Sequence, residues 1–218
     1  MIRILIVDDH AILRAGLKHI LADCADIVVG GEAGNGVEAL AQIRAGKWDV
    51  IVLDMSMPGR SGIDLIKQIK GEFPRLPILI LSMHKEDVYA VRALRAGASG
   101  YLCKDNAEPL LEQAIRKVAG GGLFVSQAVL ERMAVAVLQP ESAEALPHAR
   151  LSDREYEVFR LLAAGESVTD IARKLNVSVK TISTHKFRIM QKMNLANSAE
   201  LIRYAIRHGL AAGGEATE

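Results

Sequence analysis

Four short apolar runs, each closed by a polar residue, constrain the fold of this chain more than any other feature of its sequence. The runs cover residues 4–7, 50–53, 78–81 and 101–103, and segments with helical periodicity separate them. Runs of β-branched and leucine residues of this length are typical of strands buried on both faces of a parallel sheet. The carboxyl ends of such strands share one edge, where open α/β sheets bind their ligands. The residues that close the runs are Asp8-Asp9, Asp54, Ser82 and Lys104.

The chemistry of these closing residues predicts a site for a divalent cation and a phosphate. Carboxylates brought together raise one another's pKa unless a cation neutralises them. Mg²⁺ is a hard cation that prefers oxygen ligands and usually accompanies phosphate groups. An aspartate beside such a cation can act as a nucleophile toward a phosphoryl group, while a lysine ammonium holds a phosphoryl oxygen.

The alternation of strand and helix patterns predicts a doubly wound α/β sheet. A second strand is expected from Ile27, which gives five β/α units in roughly 120 residues. Parallel strands need crossover helices, and these pack on both faces of the sheet. The predicted strand order is flavodoxin-like, 2-1-3-4-5, which places Asp8-Asp9 beside Asp54. Helices are expected near residues 36–46, 60–70, 85–96 and 107–119.

The distribution of charge favours a second domain. Residues 148–218 hold 11 Lys/Arg and 8 Asp/Glu, a net charge of +3, whereas residues 1–147 hold 16 and 18, a net charge of −2. The segment 171–199 contains six basic residues and no acid. A basic segment in an otherwise balanced protein indicates a polyanionic partner, although a solvated helix face has the same composition.

The second domain is predicted to be all-helical and to follow a linker. A short helix is expected over Gln127–Leu138, and the proline-bounded stretch 139–147 lacks hydrophobic periodicity. Ser152 with Glu155 three residues later is a capping box. The further helices are expected near 153–164, 168–175, 179–193 and 198–208.

The cysteine content and the hydropathy of the sequence indicate the cellular compartment of the protein. Cys24 and Cys103 are too few and too far apart for a zinc cluster or a disulfide framework. No secretory signal pattern opens the chain, and no apolar stretch approaches the ~18 residues of a spanning helix. We therefore expect a cytoplasmic protein with no membrane partner.

Residues 1–119 closely resemble the receiver domain of bacterial two-component response regulators. Besides the strand-end residues, the resemblance rests on Met57-Pro58-Gly59 and on the segment 96–102 that leads to Lys104. It implies that Asp54 accepts a phosphoryl group from a sensor histidine kinase. It also implies a Mg²⁺ site in which Asp9 binds the ion beside Asp54, Asp8 supports it largely through water, and the main-chain carbonyl of Ser56 completes the coordination.

The same resemblance implies a conformational switch. Ser82 and Lys104 correspond to the switch hydroxyl and the lysine of receiver domains, and Tyr101 corresponds to the switch aromatic. The sequence departs from the common pattern at Asp105, where many receivers have a proline. A cis-proline turn is therefore not assumed after Lys104, although the lysine itself is present.

The segment 168–185 has the spacing of a helix-turn-helix. Ile171, Leu175, Val177 and Ile182 are placed to lock two helices at a sharp angle. With its flanks, residues 149–212 resemble the LuxR-type DNA-binding domain of the NarL/FixJ class. By position, the residues expected to read bases are Lys180, Ser183 and Thr184, and those expected to contact phosphates are Thr181, His185, Lys186 and Arg188.

Three further features have competing interpretations. Phe187 meets a thymine methyl group or covers the core, with neither favoured, and Met190 and Met193 are interpreted as core residues. Residues 34–39 fit the G-x-G-x-x-A dinucleotide pattern but follow the second strand, which favours a tight turn before a helix.

We therefore expect a transcription regulator activated by phosphorylation of Asp54. The predicted organisation is a receiver domain at 1–122, a linker with a short helix at 123–148 and a DNA-binding domain at 149–212. Its expected partners are promoter DNA, the kinase and a second copy of the chain, since one recognition helix makes too few base contacts for specificity. RNA polymerase is a further candidate partner.

Two rival functions remain open at this point. A phosphohydrolase using the strand-end aspartate commonly has a second acid two residues later, where this chain has Ser56. A pure protein-interaction switch is disfavoured by the basic helix-turn-helix segment. The sequence does not identify the kinase, the signal or the promoters, nor whether transcription rises or falls.

Overall fold

Five parallel strands form the sheet of the first of two units in the computed structural model. The units comprise residues 1–139 and 140–218. The sheet order is β2-β1-β3-β4-β5, which confirms the predicted order 2-1-3-4-5. The strands are β1 (Ile2–Val7), β2 (Ile27–Ala33), β3 (Val50–Asp54), β4 (Ile78–Ser82) and β5 (Gly100–Cys103). The residues that the structure describes are 1–55, 57, 62–82, 88–138 and 146–210.

Helices cover both faces of this sheet and bury two apolar layers. The helices are α1 (Ala11–Leu21), α2 (Gly36–Ala45), α3 (Gly62–Glu72), α4 (Val88–Arg95) and α5 (Ala107–Ala119). Alternate residues of a strand point to opposite faces. Leu5 and Val7 accordingly join the core beneath α2, α3 and α4, whereas Ile4 and Ile6 join the core beneath α1 and α5.

The glycine pattern at residues 34–39 forms the start of α2. The side chain of Asn35 accepts hydrogen bonds from the backbone N–H groups of Val37 and Glu38, and Glu38 accepts one from the backbone N–H of Gly34. Asn35 is therefore an N-cap, and its side chain satisfies backbone donors that the first turn leaves unpaired. This agrees with the interpretation as a turn before a helix.

A sixth helix, α6 (Gln127–Leu138), completes the first unit. Val129 is fully buried in the core beneath α4. Just before this helix, the carbonyl oxygen of Phe124 accepts a hydrogen bond from the backbone N–H of Tyr101 at 2.8 Å, which fastens the segment beside β5. The predicted linker 123–148 thus begins with residues that pack on the sheet. Residues 139–145 lie outside the described part, and the boundaries at 122 and 149 stay predictions.

The second unit is helical, as predicted. After a 3₁₀ turn at Pro147–Arg150, the predicted capping box is present at α7, because Ser152 and Glu155 each accept a hydrogen bond from the other's backbone N–H. Asn176 adopts the left-handed φ of 51° in the tight turn between α8 and α9. The helices are α7 (Asp153–Ala163), α8 (Val168–Lys174), α9 (Val179–Met193) and α10 (Ser198–Arg207).

The helix-turn-helix is locked by apolar side chains. Ile171, Leu175 and Ile182 are buried, and Val177 is half-buried. Met193 is buried as expected for a core residue, and Met190 is half-buried. Among the described residues, no helix is both long enough and apolar enough to span a membrane.

Candidate functional site

The strand-end residues meet at the carboxyl edge of the sheet. Asp8 follows β1, Asp54 ends β3, and Lys104 follows β5. The Lys104 ammonium nitrogen lies 2.8 Å from a carboxylate oxygen of Asp8 and 3.1 Å from one of Asp54. Residues from three strands, up to 96 positions apart in sequence, therefore share one buried ionic cluster.

Burial makes this cluster dependent on mutual neutralisation. Asp8 is fully buried, Asp54 is 1% exposed, and the Lys104 side chain is 7% exposed. Removing ions from water is costly unless opposite charges and hydrogen bonds compensate. One ammonium here faces two carboxylates, so the cluster holds an excess of negative charge.

The acidic cluster has oxygen ligands suited to a divalent cation. Ligand atoms of Asp8, Asp9, His10 and Asp54 all lie within 4.8 Å of one another. Three carboxylates in this space match the hard oxygen ligands that Mg²⁺ prefers. The residues therefore fit Mg²⁺, whose positive charge would offset the excess negative charge of the cluster. Ser56, whose carbonyl is the fourth predicted ligand, lies outside the described residues.

His10 is a neighbour that the sequence analysis did not identify. Its Nδ1 lies 3.0 Å from Asp9 Oδ1 and 3.3 Å from Asp8 Oδ1, and its backbone N–H donates to Asp8 Oδ1 at 2.8 Å. The available signal was its position directly after the aspartate pair. Because its side chain is 67% exposed, His10 lies at the solvent side of the cluster.

Arg14 supports the loop that contains Asp8. Its guanidinium donates to the backbone carbonyl of Asp8 at 2.6 Å and to the side chain of Glu32 at 3.1 Å. Glu32 also accepts from Lys18, and this hydrogen bond lowers the pKa of the Glu32 carboxyl against the opposing effect of burial. Glu32 therefore stays ionised near neutral pH and orients Arg14 toward the Asp8 loop.

The expected switch residues lie at the same edge and are buried. Ser82 ends β4, is 1% exposed and is paired in register with Cys103 of the neighbouring strand. Tyr101 lies two residues before Cys103 on β5 and is fully buried. Lys104–Asn106 form a 3₁₀ turn that leads into α5.

The second unit presents a basic helix, α9, whose exposed face holds most of the predicted DNA contacts. Ile182, Ile189 and Met193 form its buried face. His185 and Lys186 are half-buried. The exposed candidates are Lys180, Thr181, Ser183, Thr184 and Arg188.

Two of these candidates have hydroxyl groups that bond locally. The Thr184 hydroxyl donates to the backbone carbonyl of Lys180 at 2.9 Å, and the Thr181 hydroxyl lies 2.8 Å from that of Ser178. The latter pair belongs to the start of α9, where Ser178 is the N-cap. Thr181 therefore has a structural role that the sequence alone did not assign.

An ion pair ties α9 to α7. Lys192 donates to Glu155 at 2.6 Å, and the side chain of Glu155 is only 4% exposed. Burial acts to raise the pKa of Glu155, but the hydrogen bonds from Lys192 and from Ser152 outweigh it, and the net effect lowers the pKa. The ionised carboxylate thus joins the capping box of α7 to the end of α9.

His185 is the DNA-contact candidate that the geometry favours least. Burial, followed by the charges of Arg154 and Arg188, lowers the pKa of its imidazole. Its Nδ1 atom is buried and has no hydrogen-bond partner among the described residues. A neutral, partly inward-facing imidazole is a weaker ligand for phosphate than an exposed cation.

Fold and site together define a regulatory protein with an acidic, lysine-containing α/β unit and a helix-turn-helix unit. The family model "Response regulator receiver domain" matches residues 4–116, and the model "Bacterial regulatory proteins, luxR family" matches residues 149–205. Both matches fall within the expected domains.

Named relatives are similar over almost the whole chain. The response regulator UvrY of Escherichia coli O6:H1 is 38% identical over 210 residues, which cover 96% of each protein. GacA of Pseudomonas viridiflava is 34% identical over 96% of this chain and 98% of the relative. The chain belongs to the NarL/FixJ-type response regulators, which combine a receiver with a LuxR-type helix-turn-helix.

Solved structures agree with this assignment. A structure of the Salmonella typhimurium response regulator RcsB is 32% identical, covers 93% of this chain and 96% of its own, and gives a TM-score of 0.71. RcsB from Salmonella enterica bound to promoter rprA with phosphomimetic BeF₃⁻ gives 0.67 at 32% identity, over 94% and 98% of the chains.

Proposed function

We propose that this protein is a transcription regulator whose DNA binding is activated by phosphorylation of Asp54. The observation that supports this most directly is the position of the Asp54 carboxylate, buried at the strand edge 3.1 Å from the Lys104 ammonium. A carboxylate of this kind, beside a cation that can hold a phosphoryl oxygen, suits nucleophilic attack at phosphorus.

The proposed transfer starts from the phosphohistidine of a sensor kinase. A carboxylate oxygen of Asp54 forms a bond to phosphorus while the bond between phosphorus and the kinase's histidine nitrogen breaks, and that nitrogen keeps the electron pair. The product is an acyl phosphate on Asp54. Lys104 lies where it can donate to a phosphoryl oxygen and offset the added negative charge.

Asp8, Asp9 and Asp54 would hold Mg²⁺, with the Ser56 carbonyl as the further ligand that the family resemblance implies. The ion would neutralise charge on both the carboxylates and the phosphoryl group. Arg14, through the Asp8 carbonyl, orients the loop that presents Asp8 and Asp9.

Phosphorylation would act through Ser82 and Tyr101. In the proposed switch the Ser82 hydroxyl follows the new phosphoryl oxygen, and this movement frees space into which Tyr101 turns. The two arrangements form a two-state element that the phosphoryl group biases. The burial of both side chains supports this coupling, since a buried aromatic ring moves only when its neighbours make room.

In the second unit, Lys180, Ser183 and Thr184 would read base edges in the major groove. Thr181, Lys186, Arg188 and, most weakly, His185 would contact phosphates. Solved structures of RcsB include a complex with promoter rprA and two dimers bound to two parallel DNAs. We propose the same dimeric arrangement for this chain, with residues 149–212 binding DNA and residues 1–122 receiving the phosphoryl group.

Intact-mass measurement after incubation with acetyl phosphate and Mg²⁺ tests the phosphoacceptor. The parent protein should gain the mass of one phosphoryl group, and Asp54→Asn should gain none, because an amide is not a nucleophile. Asp64→Asn, at an exposed position on α3, is the matched control and should gain it like the parent. An adduct on Asp54→Asn would show that another residue is the acceptor.

A further inference from the structure

Phe187 is an exposed aromatic side chain on the most basic helix of the protein. It is 62% exposed, although Ile182, Ile189 and Met193 of the same helix are buried. An isolated exposed apolar residue is ordinary on a protein surface. Phe187 is notable because of its position relative to the residues proposed to read bases.

Helical geometry places Phe187 on the face opposite the buried side of α9. Residues three, four and seven positions apart lie on one face of a helix. Phe187 is four residues after Ser183, three after Thr184 and seven after Lys180. Its aromatic ring therefore belongs to the same outward strip as the three residues proposed to read bases.

The length of this strip matches a few base pairs. Seven residues of α-helix rise about 10 Å, so Lys180 and Phe187 are separated along the axis by roughly three base-pair steps. The major groove is about 12 Å wide and admits a helix. A helix that places Lys180 at a base edge therefore also brings Phe187 to the groove.

The surroundings of Phe187 favour DNA as the occupant of this strip. Lys186 and Arg188 are its chain neighbours, and no acidic residue occurs between residues 171 and 199. A basic strip attracts a polyanion. On the major-groove edge of DNA, the apolar group available to an aromatic side chain is the C5-methyl group of thymine.

We propose that Phe187 is a specificity-determining residue that reads a thymine in each half-site through its C5-methyl group. The proposal rests on the proposed DNA-binding function and adds to it a defined base and atom. It also decides between the two interpretations that the sequence left open, because the exposure of Phe187 excludes a role in covering the core of its own unit.

Replacement of thymine by deoxyuridine tests the contact, because it removes only the methyl group. The probe is the duplex that the phosphorylated parent selects from a randomised pool, with each thymine of one half-site replaced in turn. At one position the parent should lose affinity by about 4-fold, the effect of burying one methyl group. Phe187→Ala should bind the thymine and uracil duplexes equally.

Two further variants test whether the preference for thymine depends on the apolar side chain at position 187. Phe187→Leu keeps apolar surface and should retain part of the preference for thymine. Gln191→Ala, at an exposed position one turn further along α9, should retain all of it even if overall affinity falls.

Each contrary result overturns the proposal in a recognisable way. A selected half-site without thymine, equal binding of the parent to every uracil duplex, or a preference that survives in Phe187→Ala would exclude the contact while leaving DNA binding intact. Failure of the parent to bind any duplex would instead refute the proposed function, and this proposal with it. Loss of dimerisation without DNA in Phe187→Ala, with the thymine preference unchanged, would assign the residue to a protein contact.

Discussion

The ammonium group of Lys104 lies 3.1 Å from a carboxylate oxygen of Asp54, and both side chains are almost completely buried. The same nitrogen contacts Asp8 at 2.8 Å, so one cation stabilises two carboxylates from other strands. Lys104 thus contacts the carboxylate proposed to accept the phosphoryl group and one of those proposed to hold Mg²⁺. The stability of the first unit and its binding of Mg²⁺ should therefore both depend on Lys104.

Lys104→Met should destabilise the first unit in the absence of Mg²⁺. The substitution keeps the apolar stem but leaves Asp8 and Asp54 facing each other, and breaking a buried ion pair costs about 3–5 kcal/mol. Mg²⁺ should restore part of the lost free energy of unfolding, since a ligand that binds only the folded state stabilises it. Chemical denaturation followed by Trp48 fluorescence, with and without Mg²⁺, measures both effects.

Lys47→Met, at an exposed loop position, is the control for Lys104→Met. It should unfold like the parent in both conditions. Equal stability of Lys104→Met and the parent without Mg²⁺ would mean that the ion pairs contribute nothing net.

Ser82→Ala should accept a phosphoryl group but dimerise only weakly afterwards. Asp54, Lys104 and the acidic cluster remain, so the variant should still accept a phosphoryl group from acetyl phosphate. The hydroxyl proposed to follow the phosphoryl oxygen is lost, so dimerisation should increase only weakly after phosphorylation. Light scattering before and after phosphorylation measures this, and Ser82→Thr should respond more like the parent because it keeps the hydroxyl. Full dimerisation of Ser82→Ala would exclude the proposed relay.

Glu155→Gln should weaken the second unit in a pH-dependent way. At neutral pH the variant loses the charge-assisted hydrogen bond from Lys192, worth roughly 1–3 kcal/mol. The pKa of Glu155 is lowered from 4.5 in the folded protein. Its contribution to stability is therefore full above pH 4.5 and is lost as the pH falls below that value through the folded-state pKa.

Urea denaturation followed by circular dichroism, over a series of pH values, should show this convergence of Glu155→Gln and the parent. Trp48 is the single tryptophan and lies in the first unit, so the urea transition followed by its fluorescence should be nearly the same in Glu155→Gln and the parent. Glu166→Gln, which removes a more exposed ion pair with Lys174, should differ from the parent much less. A parent–variant difference that persists undiminished at low pH would contradict an ionised Glu155.

Lys180→Ala and Arg188→Ala should weaken DNA binding in different ways. Lys180 lies at the start of α9, where a lost base contact costs ~1–3 kcal/mol against the preferred sequence. Arg188 lies further along α9, where its proposed phosphate contact would hold the helix in register on any sequence. Its removal should weaken cognate and random DNA alike and lower the salt slope by about one unit.

Titrations of both variants on cognate and scrambled duplexes at several salt concentrations distinguish these roles. Lys47→Ala in the first unit is the charge-matched control and should bind as the parent does. An equal loss on both duplexes for Lys180→Ala would assign that lysine to the DNA backbone instead.

Much of the acidic site could be predicted from the sequence, because a parallel sheet brings all its strand ends to one edge. Asp8, Asp54, Ser82 and Lys104 each follow or end a buried apolar run, and that pattern alone predicted their common location. The sheet order was predictable for a related reason, since crossover helices leave few arrangements for five β/α units. The capping box at Ser152 was also predictable, because it depends only on local spacing.

The sequence by itself thus determined which side chains lie at the edge of the sheet and where most helices begin and end, since these depend on local pattern and backbone geometry. Only the tertiary structure decided which atoms meet, because distances and burial depend on packing between distant segments. It placed the Lys104 ammonium between Asp8 and Asp54, brought His10 to the acidic cluster and buried Val129 of α6 in the core of the first unit. It also left Phe187 exposed while partly burying His185, two residues on one helix whose environments are set by the helices packed against it.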